Sequence, residues 1–153
     1  MPIPWYYIKN GEEMSGNLSE QFGKIESFLF NEYGVEVDYA QDNDNAYYHD
    51  LSLIEINTRQ NFRSRLHTLL HEAGHAALRN GVSPIEFKTR FPFMRDVFSE
   101  RRVNKFHRID VLREEVLAWD KGKEIAQMLN IALDEDIWNR HRQEALAAYV
   151  EWV

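Results

Sequence analysis

Five consecutive residues carry most of the chemistry legible in this chain: His71-Glu72-Ala73-Gly74-His75, an HExxH motif. The motif lies inside the apolar, helix-favouring run Leu66–Leu78. Side chains four apart share one face of a helix, so His71 and His75 point the same way. Two imidazoles so placed reach one zinc ion at about 2.0–2.1 Å. Glu72 stands one residue past the first histidine, beside the ligand stripe but outside it. A carboxylate there can take a proton from a metal-bound water. The expectation is one Zn2+ per chain, held by His71 and His75, with Glu72 as general base.

A catalytic zinc site usually has three protein ligands and a water. The chain has no cysteine, so the third ligand is sought among His, Asp and Glu. His75 is followed by Ala76-Ala77-Leu78-Arg79-Asn80-Gly81, and the next histidine is His107. A downstream acid is favoured, in the helical stretch Leu112–Asp120. There Val111, Ala118, Gly122, Ile125 and Leu129 form an apolar stripe whose skipped position is 115. A carboxylate on an apolar face is costly unless a cation or metal meets it. Glu115 is therefore the preferred third ligand. Glu114, about a third of a turn away and toward solvent, is the alternative. A simpler account of Glu115 needs no metal: an ion pair with Arg113 or Arg108. For an oxyanion donor, His107, Tyr47, Tyr48, His49, Tyr149 and the arginines between residues 79 and 113 all stay open.

The elements that must position these groups read as follows. Trp5–Lys9 suggests a short strand closed by Asn10-Gly11, then a helix from about Asn17 to Tyr33 with Gly34 as its stop. Val35–Tyr39 alternates like a strand. Gln41–Asp50 reads as a polar loop; it is no calcium loop, since positions six and twelve from Asp42 are Tyr47 and Leu53 rather than Gly and Glu. Leu51–Asn57 is a strand, with Leu51, Leu53 and one of Ile54 or Ile56 facing a core and an edge open to an extended peptide. The motif helix runs to Asn80 before Gly81. Ser83-Pro84 opens an irregular stretch with Phe87, Phe91, Phe93 and Phe98. A long helix starts near Ser99 or Asp110 and ends near Leu129. Asp134 or Asp136 caps a last helix with Ile137, Trp138, His141, Ala145, Ala148, Tyr149 and Trp152 on one stripe. His67 and His141 are expected to be packing histidines, and Trp119, Trp138 and Trp152 core anchors. The sum is α+β: a small antiparallel or mixed sheet packed on the motif helix and further helices, in a single domain spanning residues 1–153.

Composition narrows the function classes. A net charge of −7 argues against specific nucleic-acid binding. From Arg79 to Arg113, nine cations face four acids, a local excess of five that leaves −12 on the rest. No membrane span and no signal peptide are read, so a cytoplasmic location is expected.

Together these residues resemble the HExxH-plus-glutamate zinc peptidases of the gluzincin type. The layout is most similar to the ImmA/IrrE-like and related phage and bacterial metallopeptidases. Leu53–Asn57 matches the strand before the motif helix, His71–His75 the helix with its small Gly74, and Glu115-Val116-Leu117-Ala118 the ligand-bearing helix. The resemblance covers roughly residues 35–130 and rests on about ten of them. It implies a minimal zincin-like fold and hydrolysis of peptide bonds in a protein or peptide substrate. Two features depart from the pattern: 40 positions separate His75 from Glu115, and no helix-turn-helix is evident. A competing expectation is a non-enzymatic regulatory module on the same scaffold, encoded by a phage or mobile element and working through the basic insert 79–113, with Arg101 and Arg102 prominent.

Overall fold

A computed structural model of the chain describes residues 8–9, 12–13, 15–94 and 104–153, with side chains from residue 18 onward. Two-residue strands β1 (Ile8–Lys9) and β2 (Glu12–Glu13) pair antiparallel. Of the expected strand Trp5–Lys9, only this end lies within the described residues. Then come α1 (Ser15–Tyr33), β3 (Glu36–Ala40), β4 (Ala46–Tyr48), a 3-10 turn (His49–Leu51), β5 (Leu53–Asn57), α2 (Phe62–Asn80), α3 (Pro84–Arg90), α4 (Lys105–Met128) and α5 (Glu135–Trp152). The fold is α+β, mostly helical.

The three-stranded sheet is mixed, in the order β3-β5-β4. β3 runs parallel to β5, with Glu36 opposite Leu53 and Ala40 opposite Asn57; β4 runs antiparallel, with Tyr47 opposite Ile54. β5 is thus the central strand, paired on both sides, and the expected open edge is not there. Ile54 and Ile56 both face the core on one side of the pleat. Leu51 does not: it is exposed in the 3-10 turn, and Ser52 breaks the strand with a left-handed φ of 48°.

The polar stretch 41–50 is not all loop, because Ala46–Tyr48 pairs with β5. Its asparagines satisfy backbone groups. Asn57 donates through Nδ2 to the carbonyls of Gln41 and Asn43, and its own N–H donates to Asn45 Oδ1.

Helix ends follow local chemistry. Asn61, Ser83, Asn104 and Asp134 each accept a backbone N–H from the first turn of the helix they precede. The Ser83 cap with Pro84 behind it makes α3 a helix where an irregular stretch was expected. Phe98, Ser99, Arg101 and Arg102 lie outside the described residues, and α4 is described from Lys105.

The core gathers Phe22, Ile25 and Leu29 of α1, Ile54 and Ile56 of β5, the apolar face of α2, Trp119 and Ile125 of α4, and Trp138 of α5. α2 and α4 cross with their backbones touching. A Cβ on Gly74 would stand 2.0 Å from the Ala118 carbonyl oxygen, and one on Gly122 would stand 2.5 Å from that of Leu70. Ala118 and Gly122 let α4 lie close against α2, with Gly74 as their counterpart on the motif helix. Trp152 departs from its expected core role; it is 38% exposed and lies against Arg108. Among the described residues, no helix is long and apolar enough to cross a membrane.

Candidate metal centre

His71 and His75 leave the buried face of α2 one turn apart, and both side chains are buried. Glu115 arrives from α4, placed by the Gly74–Ala118 contact one turn further along. Its Oε2 lies 3.1 Å from His71 Nε2 and its Oε1 lies 3.1 Å from His75 Nε2. Arg113 and Arg108 go elsewhere: Arg113 to Asp110 and the Arg90 carbonyl, Arg108 to the Trp152 carbonyl. The expected simpler partners of Glu115 are thus committed to other groups.

Glu72 is also buried, with Oε1 3.9 Å from His71 Nε2. Burial raises its pKa above the ordinary carboxylate value, against the opposing pull of His71, His75 and a backbone N–H from Tyr47. His71, Glu72 and His75 bring one donor atom each within 4.8 Å of one another, and such a group can hold a metal ion.

The structure corrects the reading of Glu114. It does not face solvent; it is buried and paired. Its Oε1 lies 3.3 Å from His75 Nδ1 and 3.0 Å from Arg79 Nε, and its Oε2 accepts from Arg79 Nη2 at 3.3 Å. One helical step is only about 100°, so two adjacent carboxylates can both reach a neighbouring helix lying close against them. Arg79 carried a legible signal. With His71 and His75 it forms a stripe at i, i+4 and i+8, and a cation there predicts an acid opposite.

Trp119, one turn beyond Glu115, stacks on His71 with ring centroids 4.5 Å apart and planes 23° apart. His71 Nδ1 is buried with no hydrogen-bond partner among the described residues, so stacking supports that side of the ring while Nε2 faces Glu115. His67 and His141 stay apart from the site. They face each other, Nδ1 to Nδ1 at 2.8 Å, against Trp138.

The electrostatics follow from this crowding. Burial pulls the His75 pKa down, but contacts with Glu114 and Glu115 outweigh it and hold the ring well above the ordinary imidazole value. Burial likewise works to raise Glu115 and Glu114, and their cationic neighbours win, holding both carboxyls below the usual range.

Of the candidate oxyanion donors, Tyr149 of α5 reaches the site, its hydroxyl bonded to Glu115; burial and then that carboxylate raise its pKa, so the phenol keeps its proton. Tyr47 accepts from Asn80 and meets His49, Tyr48 turns to Glu55, and His107 packs on Trp152. Among the arginines, Arg79 serves Glu114.

No family model, curated protein or solved structure matches the chain. The residues of this site therefore carry the functional argument unaided.

Proposed function

We propose that the protein is a zinc-dependent metallopeptidase with a minimal zincin-like arrangement. His71, His75 and Glu115 are the ligands of one zinc ion, and Glu72 is the general base. One observation carries the reading: a single carboxylate lies 3.1 Å from the Nε2 of both motif histidines, next to a second, buried carboxylate. Ligands at about 2.0–2.1 Å from a tetrahedral zinc are about 3.3 Å from one another, so this spacing fits the edges of such a site. Glu72 is less suited as the third ligand, being 3.9 Å from His71 and holding the Tyr47 N–H instead.

A bound zinc would polarise the scissile carbonyl and lower the pKa of its water toward about 7. The chain's own groups supply the rest. Glu72 takes a proton on its carboxylate and passes it to the leaving amine; its burial favours the protonated form it must adopt midway. Tyr149 offers a phenolic O–H at the same place as an oxyanion donor. The substrate is a protein or peptide. β4 is the outer strand next to Glu72, so an extended peptide would align along β4 rather than along the central β5.

The test is metal analysis beside proteolysis. Wild type should hold one zinc per chain and cleave an unfolded protein such as casein. Glu72→Gln should keep the zinc and lose activity by about 10²–10⁴-fold, the usual worth of a general base. Glu115→Ala should lose the metal itself. Full cleavage by Glu72→Gln would remove that residue from the base role.

A further inference from the structure

We infer that Glu114 is a positioning residue of the metal centre, clamped by Arg79 so that it holds His75 Nδ1–H and leaves Nε2 to face the ion. The inference rests on the metal reading above. A neutral imidazole has one N–H and one lone pair, and the partner of the first decides where the second points. Glu114 Oε1 stands 3.3 Å from His75 Nδ1, while His75 Nε2 is turned to Glu115, 3.1 Å away. Among the described residues His71 has no such partner on its Nδ1, so the two ligands are steadied by different means.

Glu114 is itself held from two directions. Arg79 spans both of its oxygens from one turn beyond His75 on the same helix. The guanidinium in turn lies over the Phe87 ring, 4.6 Å from its centroid, and meets Met94 Sδ at 3.5 Å. Both residues belong to the segment between α2 and α4. The basic, Phe-rich insert thus bears on a metal ligand through Arg79 and Glu114. Adjacent carboxylates divide the work: Glu115 faces the histidines as a ligand, and Glu114 faces an arginine, which balances its charge.

Zinc dissociation constants from chelator competition test this, together with the NMR resonance of the His75 Nδ1–H proton in zinc-loaded protein. Glu114→Ala should bind zinc about 10–100-fold more weakly than wild type, the usual effect of losing such a partner. It should also move the Nδ1–H resonance and speed its exchange. Arg79→Met, which keeps a long side chain against Phe87, should weaken zinc by a smaller factor. Glu114→Gln, which keeps an acceptor oxygen toward His75, should be milder than Glu114→Ala and guards against misfolding of the alanine variant. A role in stability alone would lower the melting temperature and leave the His75 resonance in place. Zinc affinity within twofold of wild type in both Glu114→Ala and Arg79→Met overturns the positioning role while the zinc site stands. A wild-type protein that takes up no zinc overturns the metal reading, and this role with it.

Discussion

At the residue scale, the proposed centre would set protons against zinc for His75. Its ring sits against two carboxylates, which hold its pKa well above the ordinary value of 6.5. A pKa raised by folding stabilises the folded state. That contribution is complete below pH 6.5 and is lost as pH rises through the raised value. Zinc needs the neutral ring, so binding expels a proton. Apparent zinc affinity should therefore climb about tenfold per pH unit through the neutral range while one proton is displaced. Calorimetric titrations in buffers of different ionisation enthalpy measure that proton directly. An affinity flat with pH and no proton release would mean that His75 is already neutral in the metal-free protein.

At the element scale, the decisive contact is backbone against backbone. Gly74 and Ala118 let α2 and α4 touch, and that touch sets the register of Glu115 over the two histidines. In Gly74→Ala a new methyl would meet the Ala118 carbonyl oxygen at 2.0 Å, with no flexible side chain to yield. Overpacking of this kind costs about 1–3 kcal/mol. The separated helices would also carry Glu115 away from the histidines, so zinc binding should weaken in step with the lower urea midpoint. A Gly74→Ala protein with unchanged midpoint and zinc affinity would show that the helices do not meet there. The same scale explains the misread stretches. A three-residue strand such as β4 shows no alternation to recognise, and β5 became central because β4 folds back onto its far side.

At the scale of the whole molecule, α5 is tied to α2 through His67 and His141. Burial first, and then neighbouring His141, lowers the His67 pKa from 6.5 to about 4. A histidine depressed by folding contributes stability that is complete above pH 6.5 and is lost as pH falls toward about 4. Glu114 and Glu115 lose theirs only below 4.5, so between 6.5 and 4.5 the part played by His67 is read by comparing wild type with a variant that lacks its ring. The melting temperature of wild type should fall relative to His67→Phe across that window, because the variant has no ring to protonate. Parallel melting curves for the two proteins would place the titration elsewhere.

The local pattern of residues was enough for the motif helix, its two imidazoles and Glu72 beside them, because each follows from helical spacing over a few positions. It was enough, too, to place Glu115 on a buried face against partners, since a lone acid in an apolar stripe demands them. It was enough for α1, β3 and α5, whose periodicities are long or bounded by Gly34 and Asp134. Other features depend on packing across large separations in the chain. The burial of Glu114 and its sharing between Arg79 and His75, the stacking of Trp119 on His71, and the reach of Tyr149 from the last helix all arise only once α2, α4 and α5 are pressed together. Helical spacing defines directions around one axis; how closely a second axis approaches is set by Gly74, Ala118 and Gly122 acting jointly, and no single window of sequence contains all three.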